Sequence, residues 1–305
     1  MTLPAALRAA VEAVHARHTG NAARVTGATP VHGGCINSAA TVRFGDGSGV
    51  FVKWNAGAPH GMFRAEAEGL EAMRATDTVR VPVVLGWADA NADGCPPHLV
   101  MEDVTLPRAG FPRCDGDHNA RLGRELAAMH RATAPRFGFA SDNYIGRTPQ
   151  PNTPCASWEE FFREHRLLHM IRLLGETGSI TPDEALRAEK ASVRTARILA
   201  SVEEPPALVH GDLWGGNVIR DAEGGPVLID PAVHFAHREV DLAMTELFGG
   251  FGPRFRAAYE ETHPTQPGYA ERRDIYNAYH LLNHALLFGG GYWSRARSIL
   301  CRYGG

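Results

Sequence analysis

The sequence predicts an α+β protein with two lobes, a small β-rich lobe over residues 1–104 and a larger α-helical lobe over residues 105–305. Two observations support this class. Between Val25 and Val104, short apolar runs alternate with Gly, Asp and Pro, as in strands that are joined by turns. After this stretch, apolar residues recur at the helical period over long segments. The change of pattern marks the predicted boundary.

In the first lobe we expect an N-terminal amphipathic helix, then a small antiparallel sheet with one helix packed on it. The expected elements are a helix over 1–20, a glycine turn at Val31–Ser38, strands Ala39–Phe44 and Gly49–Trp54, helix Met62–Ala75, and strands Val81–Ala88 and His98–Val104.

In the second lobe, helices dominate. The expected helices are Asn119–Thr133, Trp158–Glu176, Pro182–Ser201, Asp241–Phe248, Arg254–Thr262 and Glu271–Leu287. Thr181 followed by Pro182 and Glu184 predicts a capping box. Ala140–Thr153 is predicted to be a polar loop because it is rich in turn-forming residues, and Ser294–Gly305 is a short basic tail to which no structure is assigned.

Composition excludes several classes of protein. Of 305 residues, 44% are apolar and 21% charged, as in soluble globular proteins. The net charge of −3 argues against a non-specific nucleic-acid binder, and no apolar run is long enough to cross a membrane. The N-terminus lacks a continuous apolar signal core. The five cysteines are scattered without a CxxC pair, which favours the reducing cytoplasm, and we expect a monomer.

Two strand-like runs, Ala207–His210 and Val227–Ile229, bracket the loop that carries the most chemistry. Asp212 is followed five residues later by Asn217, and thirteen residues beyond that by Asp230. Phosphoryl transfer needs one carboxylate that accepts a hydroxyl proton, together with oxygen ligands for Mg²⁺. The spacing therefore predicts Asp212 as catalytic base and Asn217 and Asp230 as magnesium ligands.

The neighbours of these residues have supporting roles or ambiguous ones. His210 is a poor Mg²⁺ ligand, so we expect it to brace the loop by hydrogen bonds. Asp241 begins a predicted helix and is interpreted as a cap or loop brace. Trp214 lies two residues after the base, where its indole either stacks on the substrate or belongs to the core.

The first lobe offers a clamp for phosphates. Lys53 ends the strand VFVKW, on the same face as Phe51. If Phe51 faces the interior, Lys53 does too, and a buried ammonium needs an anionic partner. An exposed strand lysine is the ordinary alternative. Glu66, thirteen residues on, shares its helix face with Leu70 and Met73, so it can face Lys53 across strand and helix. A Lys–Glu pair of this kind holds the α- and β-phosphates of ATP in kinases.

Backbone groups are expected to complete a nucleotide site between the lobes. Gly33 and Gly34 form a turn that can approach the phosphates closely, although most such pairs are plain turns. Backbone groups of Glu102 and Val104, at the end of the strand that leads into the second lobe, could pair with adenine. An ordinary buried strand is the alternative.

Several of these stretches together resemble the fructosamine kinase (ketosamine-3-kinase) family, within the wider protein-kinase-like group that includes aminoglycoside and choline phosphotransferases. They are GGCIN (33–37), FVKWN (51–55), MFRAEAEGL (62–70), NYIGRTPQPN (143–152), HGDLWGGN (210–217), LIDPAVHFAHREVDLAMTELFGGF (228–251) and YHLLNHALLFGGGY (279–292). The metal motif is Ile-Asp-Pro and no Ala-Pro-Glu segment is visible, which favours a small-molecule kinase over a regulated protein kinase.

The resemblance implies a two-lobed protein-kinase-like fold, ATP and Mg²⁺ as cofactors, and phosphorylation of the 3-hydroxyl of ketosamines, which are the products of glycation. The phosphorylated adduct then decomposes and regenerates the amine. The resemblance also places Trp214 at the substrate, and His234, Phe235 and Ala236 are departures that could reshape the acceptor site.

Alternatives stay open at this stage. One is a related phosphotransferase that acts on an aminoglycoside, choline or another hydroxyl compound. Another is a catalytically silent nucleotide-binding scaffold, against which the intact set of site residues argues, and a metal hydrolase is weaker still. Cys35, inside the glycine turn, resembles a redox-sensitive position that links two chains by a disulfide, although a small buried thiol is the simpler interpretation.

Overall fold

The computed structural model of the chain describes residues 2–31, 36–91, 93–107 and 116–304. The chain divides into two units, one of Met1–His118 with Gly216–Asp230 and the other of Asn119–Gly215 with Pro231–Gly305. Gly216–Asp230 therefore groups with the first unit, whereas the sequence-based division assigned it to the second lobe. The division at residue 104 stays a prediction.

Helices and strands are numbered here in chain order. The α-helices of the described residues are α1 Ala5–Thr19, α2 Met62–Arg74, α3 His118–Met129, α4 Trp158–Phe162, α5 His169–Glu176, α6 Pro182–Arg197, α7 Glu239–Leu247, α8 Pro253–Thr262, α9 Tyr269–Phe288 and α10 Tyr292–Gly304. The strands are β1 Val25–Pro30, β2 Ser38–Phe44, β3 Gly49–Trp54, β4 Val84–Ala88, β5 His98–Glu102, β6 Asn143–Ile145, β7 Thr148–Gln150, β8 Ala207–Val209, β9 Val218–Arg220, β10 Pro226–Leu228 and β11 His234–Ala236. A π-helical segment, Arg163–Leu168, joins α4 to α5.

The sheet of the first unit is antiparallel, with strand order β1-β2-β3-β5-β4. Helix α1 covers one face of it, where Leu7 and Val11 pack against Val42 and Val52. Side chains alternate between the two faces of a strand, so Lys53 of β3 lies on the face opposite Val52. Lys53 contacts α2 there, and the predicted arrangement of one helix on a small antiparallel sheet is confirmed.

The β9–β10 hairpin joins the first unit through backbone hydrogen bonds. The Leu228 N–H donates to the carbonyl of Arg80 over 2.9 Å, and the Ala222 N–H donates to the carbonyl of Val104 over 3.0 Å. These bonds place Asn217 and Asp230, which flank the hairpin, in the same unit as Lys53.

The second unit is built around a helical core, and the predicted capping box of α6 at Thr181 is confirmed. Its last helix, α10, was not predicted, since the segment was assigned no structure. Ala296 and Leu300 of α10 are buried in that core, packed with α9 and α6. Ala296, Ile299, Leu300 and Tyr303 recur at helical spacing on its inner face, whereas its arginines are exposed. The segment was interpreted only as a basic tail because its charge was weighed and this spacing was not.

The prediction of a polar loop at Ala140–Thr153 is wrong for its central part. Strands β6 and β7 pair there as an antiparallel hairpin, with Asn143 opposite Gln150. Both of these side chains are buried. Their amides form hydrogen bonds inside the unit, so polar composition did not mean exposure.

Buried histidines make the second unit sensitive to acid. Burial lowers the pKa of His237 and of His280 to about 3, from an ordinary value of 6.5. Between these values the unfolded chain binds protons that the folded chain does not, so stability falls as the pH falls. From pH 6 to pH 5 we expect the free energy of unfolding to drop by about 2.4 kcal/mol from these two groups.

Urea unfolding at a series of pH values measures this loss. His280→Gln removes one of the two titrating groups. The loss of stability from pH 6 to pH 5 should therefore be smaller in this variant than in the wild type, by about 1.2 kcal/mol. A free energy of unfolding that is constant between pH 6.5 and pH 5 would contradict the assignment.

Candidate active site

Lys53 lies at the centre of an ion-pair cluster in the first unit. Its Nζ is 2.8 Å from Oε1 of Glu66, and it also contacts a carboxylate oxygen of Asp230. Lys53 and Glu66 are almost fully buried, whereas 42% of the Asp230 side chain is exposed. The pair across strand and helix that the sequence suggested is therefore present, and it brings in the predicted metal ligand as a third member.

The two carboxylates of this cluster keep the Lys53 ammonium protonated. Burial lowers the pKa of Lys53, but the nearby Asp230 and Glu66 carboxylates outweigh that effect and hold its pKa above the ordinary value. Lys53 therefore stays protonated throughout the neutral range. Its ammonium can neutralise phosphate oxygens without any change of protonation state.

The backbone of Asp230 adopts a conformation that L-residues rarely use. Its φ is +56°, in the left-handed region, where a residue with a Cβ is strained. The segment that carries it is held by the β9–β10 hairpin, because the Ile229 N–H donates to the carbonyl of Asn217 over 3.0 Å. The hairpin thus brings Asn217 and Asp230, which are thirteen residues apart in the sequence, close together in space.

The side chains of Asn217 and Asp230 fit a hard cation. Nδ2 of Asn217 lies 3.5 Å from the backbone carbonyl oxygen of Asp230, so the amide lies next to residue 230. An amide oxygen and a carboxylate are ligands that Mg²⁺ accepts while it takes its other ligands from phosphates and water. No group of three or more His, Cys, Asp or Glu residues that could hold a metal occurs among the described residues.

The backbone candidates for the nucleotide are only partly described. Glu102 ends β5, and its carboxylate forms a two-pronged ion pair with Arg80 at 2.6 and 2.9 Å. The Glu102 N–H donates to the Val83 carbonyl over 2.9 Å, and the Val104 carbonyl accepts the Ala222 N–H over 3.0 Å. The pairing of backbone groups of Glu102 and Val104 with adenine stays a prediction. Gly33 and Gly34 lie outside the described residues, as does Cys35.

In the second unit, Asp241 holds the start of the loop that carries the candidate base. Its carboxylate accepts the N–H groups of His210 and Gly211 over 2.7 and 2.9 Å. His130 Nε2 lies 3.1 Å from the same carboxylate. Burial raises the pKa of Asp241, but the hydrogen bond from His130 and the other partners outweigh it, so the carboxylate stays ionised. The prediction of a loop brace at Asp241 is confirmed.

Gly211 cannot be replaced by a larger residue without movement of the loop. It adopts a φ of +83°, and a Cβ at this position would collide with the carbonyl oxygen of Ala232. The Ala232 N–H donates to the carbonyl of His210 over 2.8 Å, so the two segments are in direct backbone contact. This contact fixes the residue that precedes Asp212.

Asp212 and Trp214 follow in a tight turn. The Asp212 N–H donates to Nδ1 of His210 over 3.2 Å, so His210 braces the loop as expected. The Trp214 N–H donates to the Asp212 carbonyl over 3.1 Å. Asp212 is half-buried. Trp214 is 39% exposed, so it is not a core residue and its indole is accessible to a ligand.

Sequence reasoning missed the polar side chains that support this loop from behind. Gln150 Nε2 donates to the Ala232 carbonyl over 3.2 Å and Asn143 Nδ2 donates to the Val233 carbonyl over 2.7 Å. The Tyr279 hydroxyl donates to Oε1 of Gln150 over 2.6 Å. The sequence did contain a signal, because a Gly-X pair such as Gly146 and Arg147 is typical of the two-residue turn of a β-hairpin.

The residues of the segment from His234 to Glu239 also have structural contacts. His234, Phe235 and Ala236 form β11, which pairs with β8. The two charged residues that follow form buried ion pairs, Arg238 with Glu204 at 2.8 Å and Glu239 with Arg272 at 2.7 Å. An influence of the three departures on acceptor choice stays a prediction.

Comparison with known proteins gives the family. The sequence profile of the family described as fructosamine kinase matches residues 7–303. The chain belongs to the fructosamine kinase family. It is 42% identical over 285 residues to a Synechocystis protein named as a ketoamine kinase, with 92% of each chain covered. It is 40% identical to a chloroplastic protein-ribulosamine 3-kinase of Oryza sativa subsp. japonica, over 93% of this chain and 80% of the rice protein.

Solved structures confirm the predicted fold. A Haemophilus somnus 129PT protein named as a fructosamine-3-kinase superposes with a TM-score of 0.82 at 25% identity, over 96% of both chains. An aminoglycoside phosphotransferase, APH(4)-Ia, superposes with a TM-score of 0.62 at 16% identity, over 97% of this chain and 99% of its own, and this likeness concerns the fold alone. The family resemblance and the protein-kinase-like α+β fold are therefore both confirmed.

Two further expectations concern cysteines and membranes. The cysteines within the described ranges, Cys95, Cys155 and Cys301, form no disulfide. A helix with the length and apolarity needed to cross a bilayer does not occur among the residues described. The disulfide-linked dimer through Cys35 stays a hypothesis.

Proposed function

We propose that this protein transfers the γ-phosphoryl group of ATP to the 3-hydroxyl of ketosamines, the sugar adducts that glycation forms on amines. The observation that carries the proposal is the Lys53–Glu66–Asp230 cluster, found in a chain that belongs to the fructosamine kinase family. The names of the Synechocystis and rice relatives support a ketosamine acceptor. The scattered cysteines without a CxxC pair favour a reducing compartment, and the proposed compartment is the cytoplasm.

Residues of the first unit hold the donor. Lys53 contacts the α- and β-phosphates, and Glu66 keeps its ammonium in place. Asn217 and Asp230 hold Mg²⁺, which neutralises phosphate charge when it is bound. Backbone groups of Val104 and Glu102 bind adenine, and the turn at Gly33 and Gly34 covers the phosphates.

Residues of the second unit act on the acceptor. The Asp212 carboxylate accepts the proton of the 3-hydroxyl while that oxygen bonds to the γ-phosphorus and the bond to the bridging oxygen of ADP breaks. General-base catalysis of this kind contributes about 10²- to 10⁴-fold to the rate. Trp214 presents an exposed indole on which the sugar or the amine stacks.

The biological role that follows is repair. A ketosamine that is phosphorylated at the 3-hydroxyl loses phosphate and releases its amine, so that the free amine is regenerated from its glycated form. The proposed substrate class includes fructosamines, ribulosamines and erythrulosamines, on free or protein-bound amines.

An acceptor panel tests the proposal. ATP-dependent ADP formation is measured with fructosamine, ribulosamine and erythrulosamine adducts of lysine, with an aminoglycoside and with choline. We expect kcat/KM for at least one ketosamine to exceed the value for the aminoglycoside and for choline by about 100-fold or more, since a matched polar acceptor site discriminates by several kcal/mol. Preferred phosphorylation of the aminoglycoside or choline would assign the protein to the related phosphotransferases instead.

A further inference from the structure

One helix, α7, holds both ends of the loop that runs from His210 to Gly215. Near its first residue, Asp241 accepts the N–H groups of His210 and Gly211. Just beyond its last residue, the carbonyl of Gly249 accepts the N–H of Gly215 over 3.2 Å. A helix of nine residues is about 13.5 Å long, so α7 sets the separation of the two ends of the loop.

The second attachment is a backbone contact between glycines. A Cβ built on Gly250 would lie 2.6 Å from the Cα of Gly215, and a Cβ built on Gly215 would lie 2.8 Å from the Cα of Gly250. Real Cβ atoms essentially never approach another heavy atom within 3.0 Å. The two chain segments can therefore stay this close only while both positions are glycine.

This contact lies next to Trp214 along the chain. Leu213, on its other side, is completely buried, and the Trp214 N–H is bonded to the Asp212 carbonyl. Trp214 as a whole is 39% exposed, so packing in the core does not determine the position of its indole. The backbone of Trp214 is instead held between the Asp212 turn and the glycine contact that follows it.

We propose that Gly215 and Gly250 are positioning residues for acceptor specificity, because their contact sets the place of the Trp214 indole. The two ends of α7 then have separate tasks. The Asp241 end orients the base, and the glycine end orients the surface on which the acceptor stacks. This inference rests on the proposed function, since it assigns Trp214 to the acceptor.

The decisive variant is Gly215→Ala. Gly215 does not have a left-handed φ, so alanine adds a clash with Gly250 without backbone strain. We expect KM for the ketosamine to rise by about 10-fold or more, while KM for ATP changes by less than about 2-fold, because a displaced stacking surface weakens acceptor binding alone. In a Trp214→Ala background, Gly215→Ala should have no further effect on that KM.

A second variant pair separates the clash from backbone strain. Gly249 and Gly250 have φ values of +75° and +98°, but a Cβ on Gly249 meets no described atom within 4 Å. Gly249→Ala therefore measures the effect of a positive φ alone. Gly250→Ala adds the clash with Gly215, so its acceptor KM should exceed that of Gly249→Ala by about 10-fold.

A measurement that needs no substrate tests this inference independently of the proposed function. Acrylamide quenching of the Trp214 emission, taken as the difference between each protein and its Trp214→Phe partner, should change by about 2-fold or more in Gly215→Ala and Gly250→Ala but not in Gly249→Ala. Thermal unfolding verifies that each variant is folded. If no ketosamine is phosphorylated by the wild type, the proposed function fails while the quenching still reports on the contact. Unchanged quenching together with an unchanged acceptor KM would overturn the inference.

Discussion

Asp212→Asn should lower kcat for phosphate transfer by about 10³-fold while ATP binding stays close to that of the wild type. An amide has the shape of the carboxylate but cannot accept the hydroxyl proton, and loss of a general base costs about 10²- to 10⁴-fold. The described bonds of residue 212 to His210 and Trp214 use its backbone, so the substitution retains them. Rapid-quench measurement of ADP formation and titration with a fluorescent ATP analogue give the two quantities.

Asp183→Asn is a matched control for this experiment. Asp183 is an exposed aspartate in the first turn of α6, where it pairs with Arg187. Its replacement makes the same chemical change at the surface of the second unit, and kcat should stay within about 2-fold because exposed ion pairs contribute little. Near-normal turnover of Asp212→Asn would remove Asp212 from the role of base.

Lys53→Met should lower kcat/KM for ATP by about 100-fold and should also destabilise the first unit. The first effect follows from the loss of charge-assisted hydrogen bonds to phosphate, each worth about 1.5–3 kcal/mol. The second follows because Glu66, whose side chain is only 11% exposed, would lose the ammonium at 2.8 Å that compensates for the burial of its carboxylate. Removing one partner of a buried pair costs about 3–5 kcal/mol.

The double variant Lys53→Met with Glu66→Gln separates these two effects. Without the unpaired carboxylate, most of the stability should return, since a neutral amide is cheaper to bury than a charge. ATP affinity should not return, because the cation that contacts the phosphates is still missing. Recovery of ATP affinity in the double variant would show that Lys53 acts only through the stability of the first unit.

Much of the site could be predicted from the sequence because its residues lie in regular elements. Lys53 lies near the end of β3 and Glu66 on the apolar face of α2, so periodicity placed the two side chains where they could pair. The structure shows the pair at 2.8 Å. The third member, Asp230, could not be added in this way. Its contact with Lys53 depends on the tertiary placement of the β9–β10 hairpin, which no local pattern encodes.

Other features were not predicted because polar composition was interpreted as exposure to solvent. Asn143 and Gln150 are buried behind the Asp212 loop, where hydrogen bonds to backbone carbonyls compensate for the loss of water. The approach of Gly215 to Gly250 involves residues far apart in the chain, and glycines in a sequence do not indicate which backbone they meet.

The most direct test of the account is the position of the transferred phosphate. The wild-type protein is incubated with ATP, Mg²⁺ and the ribulosamine adduct of lysine, and the product is examined by phosphorus–proton correlation NMR. We expect the phosphorus to couple to the proton on C3 of the sugar, ADP to form in equal amount, and free lysine to appear afterwards. Phosphate on another oxygen, or hydrolysis of ATP without a phosphorylated sugar, would contradict the proposal that this family member is a ketosamine 3-kinase.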